Sequence, residues 1–234
     1  MKYFDLEKIN FNLLMEMYKP THPGYVLIPA AFTEAGQKAI IKEISTKMMG
    51  NLRAAPEYEG TVWQNFTGLQ FGRADDEGNL KYKFSTGLLE GKLPFLEECV
   101  HEYTTNIYNT LAEKAQFRKE EDLVNSVGIH RYSRNIGGIG YHRDYYDNIN
   151  LITSITLFGE ARFFVARALK KENGQIEDIE GEVEEQIGKG DILFMRAHRR
   201  KSETMSRPWH MVKCTQERYA LLLRTKCPKE MIPL

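Results

Sequence analysis

The spacing of apolar positions along the chain changes near residue 124. Before it, two stretches repeat with helical period. Thr33 and Glu34 precede apolar Ile40, Ile41, Ile44 and Met48, which predicts a helix capped by Thr33. Pro94 suits a first helical turn, and Leu96, Cys99, Val100, Tyr103, Ile107 and Leu111 then share one face of a second helix. Both helices are expected to cover a sheet. Residues 1–32 read as an irregular lead-in, with a turn at residues 21–24 and a short strand at 25–28. Between the helices lie aromatic and glycine residues from Trp63 to Phe84. The turn-forming run at 75–79 predicts a hairpin there.

After residue 124 the pattern becomes short β-type runs separated by turns, at 127–132, 152–157, 161–165, 191–195 and 219–223. Several short strands at this spacing predict a sandwich or barrel, and helices first with strands later give an α+β chain. A β-hairpin insertion is expected between Val165 and Asp191, with an acidic turn at 180–185. Gly137, Gly138 and Gly140 lack phosphate-loop spacing and no helix follows, so they read as flexibility before the next strand.

Composition narrows the classes. Hydrophobic residues make up 42% and charged residues 27%, as in ordinary globular proteins. Lys plus Arg equals Asp plus Glu at 32 each, so nucleic-acid binding would need a local basic patch. Cys99, Cys214 and Cys227 are odd in number and widely spaced, which predicts reduced thiols rather than a disulfide framework. The acidic N-terminus does not read as a secretory signal, and no stretch is apolar enough to span a membrane. A soluble, cytoplasmic protein is expected, with nothing demanding more than a monomer.

His142 and Asp144 stand at i and i+2, so on an extended strand both reach the same side. His210 follows 68 residues later. Two histidines and a carboxylate on one face of a metal leave open positions, the arrangement suited to non-haem Fe(II) and oxygen. A closed zinc site would need a fourth ligand. The bland alternative is a surface loop of mixed charge. Arg218 and Arg224 flank an apolar run and face one side of a strand, where burial calls for anions. A dicarboxylate cosubstrate would supply them, and two ordinary salt bridges at a sheet edge are the alternative.

The ordered combination of Tyr132, His142-Arg143-Asp144, His210 and Arg218 to Arg224 resembles the AlkB-like Fe(II)/2-oxoglutarate dioxygenases over residues 124–226. The resemblance implies a double-stranded β-helix (jelly-roll) core at 124–234, with N-terminal helices covering one sheet. Residues 1–123 would form an extension carrying those helices and a substrate lid at about 60–90, the whole making one structural domain. It implies Fe(II) held by His142, Asp144 and His210, with 2-oxoglutarate and O2 as cosubstrates. Arg218 would pair with the distal carboxylate of 2-oxoglutarate, Tyr132 would hydrogen-bond the cosubstrate, and Arg224 would lie near its chelating carboxylate. The sequence departs from the family pattern at His130, often Asn there, and at Ala220, often small and polar.

The expected reaction is hydroxylation of a C–H bond, with oxidative demethylation of N-alkylated nucleobases in DNA or RNA favoured. Arg199 and Arg200 in a basic loop, with Arg143, Tyr145 and Tyr146 beside the metal ligands, are the candidate substrate contacts. The alternatives are a hydroxylase of a small molecule, amino acid or peptide on the same scaffold, and a non-enzymatic binding module. His22 and His101 read as a turn residue and a helix-surface residue, and His198 as part of the basic loop.

Overall fold

The change of period near residue 124 is a change of architecture. The computed structural model describes residues 1–54, 64–74, 79–81, 93–117, 124, 126–144, 148–172, 175–197 and 207–226. Its elements in chain order are α1 (Phe11–Glu16), β1 (Tyr25–Ile28), α2 (Glu34–Glu43), β2 (Arg53–Ala54), β3 (Gln64–Asn65), β4 (Thr67–Ala74) and β5 (Asn79–Lys81). Then come α3 (Pro94–Tyr103), α4 (Asn109–Ala115), β6 (Ser126–Tyr132), β7 (Gly138–His142), β8 (Asn148–Phe158) and β9 (Ala161–Ala166). The series ends with β10 (Ala168–Glu172), β11 (Gln175–Glu180), β12 (Val183–Ile187), β13 (Ile192–Arg196), β14 (Trp209–Cys214) and β15 (Arg218–Lys226).

The strands form two main antiparallel sheets. The major sheet runs β1-β13-β8-β15-β6-β4-β2 with β5 beside β4, and the minor sheet runs β12-β9-β14-β7-β3. From β6 onward the chain passes back and forth between them, which winds it into a double-stranded β-helix, or jelly roll. The β10–β11 hairpin is the expected insertion. The acidic run is split, however. Gly181 and Glu182 make the turn, while Val183–Ile187 pairs with β9, placing Glu185 opposite Phe163.

Both predicted helices form. Thr33 Oγ1 accepts from Gly36 N at 3.0 Å and caps α2, and Pro94 opens α3. The start of α3 is capped from outside, because the buried Glu43 carboxylate accepts from Leu96 N at 2.9 Å. α3 continues through a π-helical turn (Thr104–Tyr108) into α4.

The major sheet has two wet-free faces. Ile129, Leu151, Ile155, Phe194, Leu221 and Leu223 pack outward against Ile40, Tyr103, Ile107 and Leu111 of the helices. The alternate residues Ile152, Leu193, Met195 and Ala220 pack inward against Phe163, Val165 and Val212 of the minor sheet. Residues 148–157 of β8 are therefore buried throughout, the polar Asn148, Asn150, Thr153, Ser154 and Thr156 included. Polar groups facing the helices are paired. Tyr103 Oη and Thr153 Oγ1 share a 2.5 Å hydrogen bond, and Tyr18 Oη donates to Asn150 O at 2.8 Å.

The segment before residue 124 is more than cover. It supplies β1, β2, β4 and β5 to the major sheet and β3 to the minor sheet. β3 and β4 flank Phe66, so the chain crosses from one sheet to the other at that residue.

Candidate metal centre and the cavity behind it

β7 and β14 are neighbours in the minor sheet, with His142 directly opposite His210. Their ring centroids are 4.2 Å apart. A register shift makes this possible. On the β14 side, His210 and Val212 are two residues apart, while their partners His142 and Ile139 are three apart. The extra β7 residue is a bulge. Without it Ile139 and His142 would face opposite sides of the sheet, whereas both line the cavity.

Asp144 lies just beyond β7, and its Oδ2 is 3.4 Å from His210 Nε2. The ligand atoms of His142, Asp144 and His210 all lie within 4.8 Å of one another, and they are the one such group of His, Cys, Asp and Glu among the described residues. Each histidine Nδ1 meets a backbone carbonyl, Gly140 O at 2.8 Å and Pro208 O at 3.1 Å. That contact fixes the proton on Nδ1 and leaves Nε2 as a free lone pair. Burial, reinforced by His210, lowers the His142 pKa to about 4, so its ring is neutral near pH 7. Burial alone would raise the Asp144 pKa, but His210, Arg224 and His142 outweigh it and hold the group at about 2, an ionised carboxylate. Two imidazoles, each with Nε2 turned to the group, and an ionised carboxylate on one side fit Fe(II) with positions left open.

Behind this group lies a cavity of about 50 Å³. β15 turns Arg224, Leu222 and Arg218 toward it. Arg224 is 3.8 Å from Asp144, so its nearest anion is a protein carboxylate. Arg218 is different. It is 3% exposed and meets only neutral groups among the described residues, donating to Thr156 Oγ1 at 3.0 Å and Ser154 Oγ at 3.5 Å, above the Tyr132 ring. The two arginines stand six residues apart on β15, with Leu222 between them on the same face. Leu193, Val212 and Leu222 line the space between, giving a cavity that is polar at both ends and apolar in the middle.

No family model matches the chain, and no curated protein matches it in sequence. Solved structures do. A Pseudomonas putida prolyl-4-hydroxylase aligns with TM-score 0.58 and 12% identity, covering 93% of this chain and 99% of that one. A Trichoplax adhaerens prolyl hydroxylase, in complex with a hypoxia inducible factor oxygen degradation domain peptide fragment, aligns with TM-score 0.54 and 11% identity over 92% of this chain and 88% of that one. A Burkholderia pseudomallei oxidoreductase of the 2OG-Fe(II) oxygenase family gives TM-score 0.51 and 15% identity over 94% and 91%. The chain shares its fold with these oxygenases. No helix among the described residues is long and apolar enough to cross a membrane.

His142, Asp144, His210, Tyr132, Arg218 and Arg224 thus line one cavity. Arg143 does not line it, and its guanidinium lies 4.5 Å from the Trp209 ring centroid. Tyr145, Tyr146, Arg199 and Arg200 fall outside the described residues. Sequence reading missed His130 and Ser154, which also line the cavity, and the Phe66 ring stacked on His130. Alternation along β6 could have flagged His130, two residues before Tyr132. Nothing local marks Phe66, which reaches the site through long-range strand pairing.

Proposed function

We propose that this chain is an Fe(II)- and 2-oxoglutarate-dependent oxygenase that hydroxylates a C–H bond. One observation carries the reading: a cavity with two histidines and a carboxylate at one end, a buried guanidinium that meets only neutral groups among the described residues at the other, and apolar walls between. A dicarboxylate with a short methylene stem matches that sequence of environments, and Arg218 would pair with its distal carboxylate. With iron, 2-oxoglutarate and O2 bound, the site supplies the oxidising power to break a C–H bond while 2-oxoglutarate leaves as succinate and CO2. His142 and His210 hold metal through Nε2, Asp144 neutralises charge, and Arg224 orients Asp144 from behind.

For the primary substrate, an amino-acid or peptidyl side chain is the reading favoured here. The prolyl hydroxylases span nearly all of this chain, and one is bound to a peptide. Phe66 also faces inward onto His130 and so is not offered to an extruded base. The second reading, oxidative demethylation of N-alkylated nucleobases, rests on the AlkB-like order of motifs and on the basic residues Arg199 and Arg200.

The test is anaerobic addition of Fe(II) and 2-oxoglutarate to chelated protein, followed by oxygen and a succinate assay. A visible charge-transfer band and succinate production stimulated by peptides are expected, with both lost in His142→Ala and the cosubstrate response lost in Arg218→Met. Stimulation by methylated oligonucleotides alone would select the second reading. Wild-type protein giving neither band nor succinate overturns the enzymatic assignment.

A further inference from the structure

The ladder between β7 and β14 ends at the rung that pairs His142 with His210. Arg143 and Asp144 lie beyond it, outside any strand. Yet Asp144 Oδ2 is held 3.4 Å from His210 Nε2. The ladder does not reach this stretch, which leaves its placement to contacts beyond the strand. Toward the cavity, Arg224 stands 3.8 Å from Asp144. Arg143 is flanked by two residues that line the cavity and does not line it. It is turned to the other side.

There its guanidinium lies over Trp209, 4.5 Å from the ring centroid. Both residues are half-buried, and a cation over an indole face is attracted most when partly withdrawn from water. Trp209 and Met211 alternate along β14 with His210 and Val212, which line the cavity, so they face the outer side of the minor sheet. Trp209 packs on an apolar cluster of Tyr141, Phe164 and Ala166. Leu169 and Ile179 from the β10–β11 hairpin pack on the same cluster. Tyr141 Oη also donates to Glu182, in the turn that follows β11. The residues on either side of His142 are thus both tied down on the outer face, Tyr141 to Glu182 and Arg143 to Trp209.

We propose that Arg143 is a positioning residue for the metal centre, its guanidinium stacked on Trp209 outside the sheet so that Asp144 stays in ligating position inside it, with the β10–β11 hairpin as backing. This rests on the proposed function. It moves Arg143 from contact with the substrate, the role its place beside the ligands suggests, to support of the ligand that follows it. With the stack released, the 143–144 stretch gains freedom that binding a metal must then remove, at a cost in affinity.

Co(II) titration of chelator-treated protein, followed by visible absorption, tests this without turnover. Arg143→Met keeps an unbranched stem and removes the cation. It is expected to raise the Co(II) dissociation constant roughly 3- to 30-fold, as loss of a cation–π contact implies, and to alter the Co(II) absorption band as Asp144 loosens. Arg143→Lys restores part of that loss. Trp209→Leu should lose a similar factor, and the double variant no more than the worse single one, because both residues act through one contact. Should Trp209→Leu fail to fold, Arg143→Met and Arg143→Lys still decide. A contact that serves only the fold would lower the melting temperature of metal-free Arg143→Met and leave its Co(II) affinity and band as in the wild type. That result overturns this inference alone, as does a raised peptide KM at unchanged Co(II) affinity, which would return Arg143 to the substrate. Wild-type protein that binds no Co(II) overturns it together with the enzymatic reading.

Discussion

Several side chains here are held in the protonation state their position demands. Burial lowers the pKa of His22, His130 and His142, the last to about 4 from an ordinary 6.5. Above pH 6.5 neither folded nor unfolded chain carries these protons, and stability is unaffected. As pH falls below 6.5 the unfolded chain takes up protons that the folded one refuses, so stability declines until the folded values are passed. His142 alone would remove about 2–3 kcal/mol between pH 6.5 and 4.5. Thermal melts of chelator-treated protein should fall steeply over that interval, and the slope should be shallower in His142→Ala. An unchanged slope would mean that His142 is not the titrating group. The left-handed Asn150 (φ 62°) is a second residue fixed by context, because Asn tolerates that conformation and its Nδ2 donates to Tyr108 Oη at 3.0 Å.

Among the elements, those written in strong local signals were legible in the sequence and those built from tertiary pairing were not. Thr33 and Pro94 marked the two helix starts because capping and fixed φ are local effects. β15 was legible because its buried centre leaves the apolar run 219–223, and β8 because β-branched Ile and Thr dominate residues 152–157. β7 and β14 carried no such signal, since glycines, metal ligands and exposed residues interrupt the alternation, yet they hold His142 and His210. The cap between α2 and α3 was equally invisible, as its carboxylate lies 53 residues from the amide it accepts. Glu43→Ala strips that partner from a buried helix end and is expected to cost about 1–3 kcal/mol. Urea unfolding would measure it, while Fe(II) affinity should stay unchanged because the helices lie outside the cavity. A loss below a few tenths of a kcal/mol would show that Pro94 and water suffice at that terminus.

For the molecule as a whole, the sequence told the chemistry better than the assembly. Residue types and spacing singled out His142, Asp144, His210, Arg218 and Arg224, and these converge on one cavity. It did not tell that Phe66, from the N-terminal half, would stack on His130 of the cavity wall, because β3 and β4 join opposite sheets around it. Nor could it tell that Arg224 would face Asp144 while Arg218 met only neutral groups among the described residues, since which arginine has a protein partner depends on side chains brought together by folding. The bulge in β7 has a further consequence. It takes up one surplus residue, so that deleting one residue between Ile139 and His142 would leave two residues against two, a regular ladder with both side chains still facing the cavity. Deleting Gly140 should therefore leave a protein with near-native circular dichroism that still takes up Fe(II). The β7 bulge is thus a spare residue in the ledger of the sheet, and loss of Fe(II) uptake in the shortened chain would show instead that the bulge itself shapes the ligand group.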